Sequence, residues 1–179
     1  MQEIDNKVLN FILYNLRNSL LDNVMVFITA LGNIGFIWIV ISIIFLFSKK
    51  YRKYGMCILL LLLIGAILCD IIMKPMIGKI RPCNVNINIP LLINRPTSYS
   101  FPSGHSMSSF AAATIIFMVN KRCGIFAYIF AFLVAFSRLY LYVHYPIDVV
   151  CGGLIGIILA IMISYLFNFR NQNKCYKCI

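Results

Sequence analysis

The sequence predicts an all-α fold: a polytopic membrane helix bundle with about five transmembrane helices, preceded by an N-terminal interfacial amphipathic helix, in one domain over residues 1–179. Three observations carry this. Hydrophobic residues make up 61% of the chain and the mean hydropathy is +0.89, far above a soluble composition. Charged residues make up only 12%, and the net charge of +11 reflects a scarcity of acids, five in all, more than an abundance of bases. Apolar stretches recur along the chain at close to the ~20 residues that a helix needs to cross a bilayer core. Such a charge balance argues against a nucleic-acid partner, whose footprint is a basic stripe on a soluble surface.

Residues 1–22 read as an interfacial helix. Ile4, Val8, Phe11, Ile12 and Leu16 recur at helical spacing, while Glu3, Asn6, Asn10 and Asn18 are polar, which suits a segment lying flat before the first span. A secretory signal is not expected there, because Gln2, Glu3 and Asp5 stand where a positive region belongs. The spans then run Val24–Phe47, Met56–Met73, Ser103–Val119, Ile125–Val143 and Val149–Phe167. The third is short and opens with polar residues, so its first turn is expected to line a cavity instead of facing lipid. The seven cysteines show no disulfide spacing, and the Cys175 and Cys178 pair lacks the further ligands that would complete a metal site.

Lys49, Lys50, Arg52 and Lys53 fall between spans one and two, Lys121 and Arg122 between three and four, and Arg170, Lys174 and Lys177 after five, with no acid among them. The positive-inside rule puts these segments, and the carboxyl terminus, in the cytoplasm. The connections on the other side, Lys74–Pro102 and His144–Asp148, carry both histidines and the cations Lys74, Lys79, Arg81 and Arg95, with Arg138 about one turn inside span four. Well-separated helix ends thus gather their polar residues at one extracytoplasmic face. Ionisable residues within spans are costly and mark function, which singles out Asp70, Lys74 and Arg138. Asp70 and Lys74 are four apart, so the carboxylate is expected to pair with and orient the lysine.

Three clusters carry the chemistry, all within residues 74–148: Lys74 to Pro82, Phe101-Pro102-Ser103-Gly104-His105, and Ser137-Arg138 followed by His144 and Asp148. Phosphoryl transfer asks for fixed positive charge on the non-bridging oxygens, a nucleophile in line and an acid for the leaving oxygen. Lys74, Arg81 and Arg138 supply the charge, the arginines with a planar fork that matches phosphate. Ser103 and Gly104 open a helix, where free backbone N–H groups and the positive dipole end favour an anion and the missing side chain of glycine lets it approach. Ser103 can both cap that helix and donate to phosphate. Across a turn, Asp148 can hold one imidazole nitrogen of His144 and aim the other at phosphorus. His105, with no carboxylate adjacent in sequence, is then the residue to protonate the leaving oxygen and afterwards activate water. Metal chemistry is not expected: Lys74, Arg81 and Arg138 would repel a cation from the histidines.

These clusters resemble the three motifs of the type 2 phosphatidic acid phosphatases, K-x6-RP, PSGH and SR-x5-H-x3-D, which are complete here at Lys74–Pro82, Pro102–His105 and Ser137–Asp148. The resemblance covers spans two to five. It implies His144 as nucleophile, Asp148 as its partner, His105 as general acid, and Lys74, Arg81, Ser103, Gly104 and Arg138 as phosphate binders, with neither metal nor cofactor and a site facing away from the cytoplasm. Many members have six spans; here the amphipathic segment before Val24 stands in place of the first.

The implied substrate is a membrane lipid phosphate or diphosphate. An outward-facing site favours a carrier recycled on that side, undecaprenyl diphosphate first, with phosphatidylglycerophosphate or phosphatidate as the alternative. A non-catalytic lipid-binding or transport protein is the rival from another class, and intact His105, His144 and Asp148 argue against it. A phosphotransferase and a vanadate-holding haloperoxidase are further readings, the latter disfavoured by the spans. No protein partner is indicated. Gly152, Gly153 and Gly156 are expected to mark close helix packing, and Asn84–Asn94 a lid or a solvated loop.

Overall fold

A computed structural model describes residues 2–167. Among the described residues the chain is all-helical, in the order α1 (Gln2–Asn15), α2 (Ser19–Gly32), α3 (Phe36–Phe47), α4 (Arg52–Ala66), α5 (Lys74–Ile77), α6 (Pro82–Val85), α7 (Gly104–Val119), α8 (Lys121–Tyr140) and α9 (Pro146–Leu166). Four stretches are long and apolar enough to cross a membrane: Ser19–Phe47, Arg52–Val85, Lys121–Tyr140 and Pro146–Leu166, with α7 as a shorter apolar helix. The predicted class and the five helical segments are therefore present, and their limits differ in instructive ways.

Helix α7 is the axis of the bundle, packed between α8, α9 and α4. Every residue from Ser106 to Ile116 is buried. The first turn lines a cavity through Gly104, His105 and Met107, as the sequence anticipated, and the helix from Ser106 to Ile116 is enclosed by protein, which explains its small residues Ser106, Ser109, Ala111, Ala112 and Ala113. Close approach on the α9 side depends on glycine: a Cβ at Gly152 would collide with the Ser103 carbonyl oxygen, and one at Gly156 with that of Met107. The glycine cluster is thus a packing seam, as expected. On the α3 side Trp38 Nε1 donates to Ser109 Oγ at 3.0 Å, satisfying a buried indole.

The first predicted span is not one helix. It starts earlier, at Ser19, where Asn18 caps it by accepting from the Leu21 amide at 2.9 Å. It then breaks at Asn33–Gly35, where Ile34 (φ 54°) and Gly35 (φ 70°) are left-handed. That conformation is natural for glycine and costly for a β-branched residue. The second span departs from α-geometry too: Ile67–Met73 is π-helical, the segment that carries Asp70. Span four covers Lys121–Tyr140 instead of Ile125–Val143, so Arg138 lies in its last turn and Val143 in the following loop. Span five begins at Pro146, which makes Asp148 part of its first turn.

The N-terminal helix ends at Asn15, not at residue 22, and it is docked on protein instead of only resting on an interface. Asp5, Leu9 and Ile12 are buried, and Asp5 Oδ1 accepts from the Ile147 amide at 3.3 Å at the start of α9. Part of the predicted apolar stripe, Ile4 and Phe11, points outward at 66% and 60% exposure, so the helix offers a protein-facing and a separate apolar outer face. The Cys175 and Cys178 pair and the cations Arg170, Lys174 and Lys177 lie outside the described residues.

Candidate active site

Four helix ends converge on one cavity of about 910 Å³, whose wall includes Asn33, Lys74, Arg81, Gly104, His105, Arg138 and His144 together with the loop Leu92–Ser98. The residues singled out in three distant sequence clusters therefore meet. Lys74 is 7% exposed, and its Nζ sits 2.5 Å from Asp70 Oδ1, the pair the i, i+4 spacing predicted. Arg138 is 4% exposed; its Nη1 donates to Thr29 Oγ1 at 2.5 Å, and its buried Nε finds no partner among the described residues. Desolvating a guanidinium this far without a carboxylate is costly, and an anion in the cavity would offset that cost.

Arg81 is fixed more rigidly. Its Nε donates to Ser98 O at 2.7 Å, Nη2 to Ser98 Oγ at 3.0 Å and Nη1 to Val143 O at 2.9 Å. Nη1 also lies 2.9 Å from His144 Nε2. A guanidinium can only donate, so Nε2 must carry the lone pair and Nδ1 the proton. That tautomer leaves the lone pair on Nε2, and His144 is part of the cavity wall. Burial pushes the His144 pKa down to about 3, opposed by Asp148 and reinforced by Arg81 and Arg138. The imidazole is thus neutral across the physiological range.

Behind His144, Asp148 is fully buried, and its carboxylate is 3.7 Å from His144 Nδ1, longer than a hydrogen bond. Ser100 stands beside both: its hydroxyl donates to Asp148 Oδ2 at 2.5 Å and lies 3.5 Å from Nδ1. Lys79 Nζ donates to Asp148 Oδ1 at 2.7 Å, and the Tyr145 amide to Oδ2 at 3.0 Å. The direct carboxylate–imidazole contact read from sequence is therefore shared with Ser100 and Lys79. Sequence reasoning counted Lys79 only as a cation at this face and did not consider Ser100.

Ser103 caps α7: its Oγ accepts from the Ser106 amide at 3.4 Å and from the Ser106 hydroxyl at 3.0 Å. It is wholly buried, whereas Gly104 and His105 reach the cavity wall. The Ser103 amide donates to the Asp148 carbonyl at 3.0 Å, which ties the starts of α7 and α9 together and so fixes both histidines in one frame. His105 Nε2 lies 2.9 Å from Asn33 Oδ1, a contact with no counterpart in the sequence reading. A signal was available: a polar residue between Gly32 and Gly35 inside an apolar run.

Arg95 donates to the carbonyls of Cys83 and, at 3.2 Å, of Ile87, so it staples the Asn84–Asn94 stretch into a folded loop over the cavity. Among the described residues no three of His, Cys, Asp and Glu gather as ligands for a cation would.

Residues 54–172 match the PAP2 superfamily, and the chain belongs to that family. It is 35% identical over 137 residues to an undecaprenyl-diphosphatase of Sulfolobus acidocaldarius, covering 76% of this chain and 66% of that protein. It is 33% identical to a lipid A 4'-phosphatase of Bacteroides thetaiotaomicron over 64% of this chain and 56% of the relative. The chain thus spans less than two thirds of the length of these relatives. A crystal structure of a transmembrane PAP2 type phosphatidylglycerolphosphate phosphatase from Bacillus subtilis is similar over 93% of this chain and 86% of that one, with a TM-score of 0.77 and 28% identity.

Proposed function

We propose that this protein is a membrane lipid phosphatase that works through a phosphohistidine on His144. The observation that carries the reading is the meeting, in one cavity, of a neutral buried imidazole whose Nε2 carries the lone pair and faces Arg81, a second histidine, and Lys74, Arg81 and Arg138. The terminal phosphate enters against the three cations and the first amides of α7. His144 Nε2 forms a bond to phosphorus while the bond from phosphorus to the lipid oxygen breaks. His105 gives its proton to that oxygen as it leaves. The His144 ring now carries positive charge, which its Nδ1–H shares with Ser100 and Asp148. The second lipid-free half reverses the roles: His105 takes a proton from water, the water oxygen bonds to phosphorus, the P–N bond breaks, and phosphate leaves. No step calls for a metal.

Undecaprenyl diphosphate is the substrate we favour, yielding undecaprenyl phosphate and phosphate, because a named relative acts on it and because the site lies on the face opposite the basic connections. Lys49–Lys53 and Lys121–Arg122 stand at the other ends of the helices, which by the positive-inside rule supports an extracytoplasmic cavity. The bilayer is the protein's medium and the substrate's. A phosphatidylglycerophosphate or phosphatidate activity is the second reading, supported by the likeness to the Bacillus subtilis structure. Phosphate release by detergent-solubilised protein in EDTA, measured on undecaprenyl diphosphate, phosphatidylglycerophosphate and phosphatidate with His144→Ala as blank, tests both. Preferred turnover of the diphosphate is the expected result; preference for a glycerol lipid selects the second reading; no release from any of them by folded protein favours a binding or transport role.

A further inference from the structure

The helix break at Asn33–Gly35 lies outside all three sequence clusters, yet it touches the site. Helix α2 is anchored to α8 through Tyr140, whose hydroxyl donates to Asp22 Oδ1 at 2.7 Å. From there it presents two polar residues one turn apart: Thr29, which accepts from Arg138 Nη1, and Asn33, whose Oδ1 is 2.9 Å from His105 Nε2. The break turns the chain away immediately after Asn33, so its side chain stands on the cavity wall instead of continuing into the apolar span. At Gly32 a Cβ would come within 3.1 Å of His105 Cδ2 and 2.9 Å of Val134 Cγ1, so the missing side chain lets the edge of the imidazole approach α2.

We infer that Asn33 is a positioning residue for His105: it holds Nε2–H through its carbonyl oxygen and thereby aims Nδ1 at the oxygen that leaves the phosphorus. The Cδ2–Nε2 edge of the ring is taken up by Gly32 and Asn33, and Nδ1 has no hydrogen-bond partner among the described residues. An acceptor at Nε2 fixes the proton there in the neutral ring, so the proton gained and lost during turnover is the one on Nδ1. In the first step it passes from Nδ1 to the leaving oxygen as the P–O bond breaks; in the second Nδ1 takes a proton from the attacking water. A neutral amide suits this place better than a carboxylate. The cavity also holds Asp70, Lys74, Arg81, Arg138 and His144, and an added negative charge would repel the phosphate those cations bind. The inference rests on the phosphatase reading above, and deepens it.

The test uses a property of general acids: they matter for poor leaving groups and little for good ones. Wild type, Asn33→Ala, His105→Ala and the double variant are compared on a short-chain phosphatidate, which expels an alkoxide, and on p-nitrophenyl phosphate, which expels a stable phenolate. General acid–base groups supply about 10²–10⁴ in rate, and loss of orientation should cost a part of that, about 10- to 100-fold in kcat on phosphatidate with little change in KM. On the aryl phosphate Asn33→Ala should keep a fast burst of phenolate followed by slow turnover, because only the water step still needs His105. Asn33→Ala should add almost nothing to His105→Ala, the non-additivity of two residues acting as one. Asn33→Asp, which keeps an acceptor in place, should recover kcat relative to Ala, raise KM and move the alkaline limb of the kcat profile to higher pH. A phenolate burst slowed as much as phosphatidate turnover, or additive losses in the double variant, would mean that Asn33 is merely structural and overturn the inference. Wild-type kcat in Asn33→Ala would also overturn it while leaving the phosphatase reading intact, full activity in His105→Ala would remove His105 from the mechanism and the inference with it, and no release from any substrate by folded wild type would overturn the phosphatase reading.

Discussion

The two histidines are held in opposite ways. His144 is buried to 1% exposure and surrounded by groups from the connections next to it: Arg81 on Nε2, Ser100 and Asp148 behind Nδ1, and Lys79 behind Asp148. His105 stands on the cavity wall at the start of α7 and is touched from a distant, broken helix through Asn33. A nucleophile must be neutral and fixed, and a dry pocket of neutral and paired groups provides both. An acid must gain and lose a proton in each cycle, which requires access to water and a looser support. The contrast assigns rigidity to one histidine and exchange to the other.

Removing the proposed nucleophile should have the largest effect. His144→Ala is expected to lower kcat by at least about 10³-fold while a phosphate analogue still binds, because Lys74, Arg81, Arg138 and the start of α7 remain. Phosphate release and vanadate binding measured on the same preparation check this; unimpaired turnover would remove His144 from the chemistry. The frame that joins the two histidines comes next. Gly152→Val forces side-chain atoms onto the Ser103 carbonyl, and overpacking of this kind costs about 1–3 kcal/mol. A lower melting temperature accompanied by loss of activity is expected, and a variant with wild-type values for both would show that the α7–α9 seam is not close-packed.

Ser100→Ala should cost about tenfold in kcat, equivalent to the ~1.4 kcal/mol of one well-placed hydrogen bond, with KM little changed. The His144 side of the comparison also has a pH signature. Its pKa is depressed from 6.5 to about 3, so the folded protein binds fewer protons than the unfolded chain between those values. The stability that this group contributes is therefore present above pH 6.5 and lost as pH falls toward 3. Thermal melts between pH 7 and pH 4 should show that decline, reduced in His144→Ala; a decline of equal size in the variant would place the buried proton deficit elsewhere. The smallest expected effect is that of EDTA, which should leave phosphate release unchanged; activity lost to the chelator and restored only by a divalent cation would break the mechanism.

The same contrast explains what could be read in advance. Groups that meet within one turn of helix were legible: Asp70 with Lys74, and Asp148 near His144, both i, i+4 pairs. So was the gathering of Lys74, Arg81, His105, Arg138 and His144, since hydropathy fixes which helix ends share a face. Contacts made across the fold left no local trace. Ser100 reaches Asp148 across 48 residues, Lys79 reaches it across 69, and Asn33 reaches His105 across 72. Helix limits were blurred for a related reason: Asn18, Gly32 and Gly35 punctuate the chain at Asn15–Ser19 and Asn33–Gly35, but apolar neighbours kept the hydropathy high through both. Burial of α7 was only half legible, because serines and alanines signal that lipid is excluded without naming the helices that exclude it.

Trapping the covalent intermediate would test the phosphohistidine itself. Protein mixed with a lipid substrate carrying a labelled terminal phosphate, and quenched in alkali within one turnover, should retain label on a peptide containing His144 that is lost in acid, as a P–N bond requires. His144→Ala should retain none, and His105→Ala should retain more than wild type with an activated aryl phosphate, because the water step is slowed. Label on the His144→Ala protein, or rapid wild-type turnover with no trapped label at any quench time, would contradict the account.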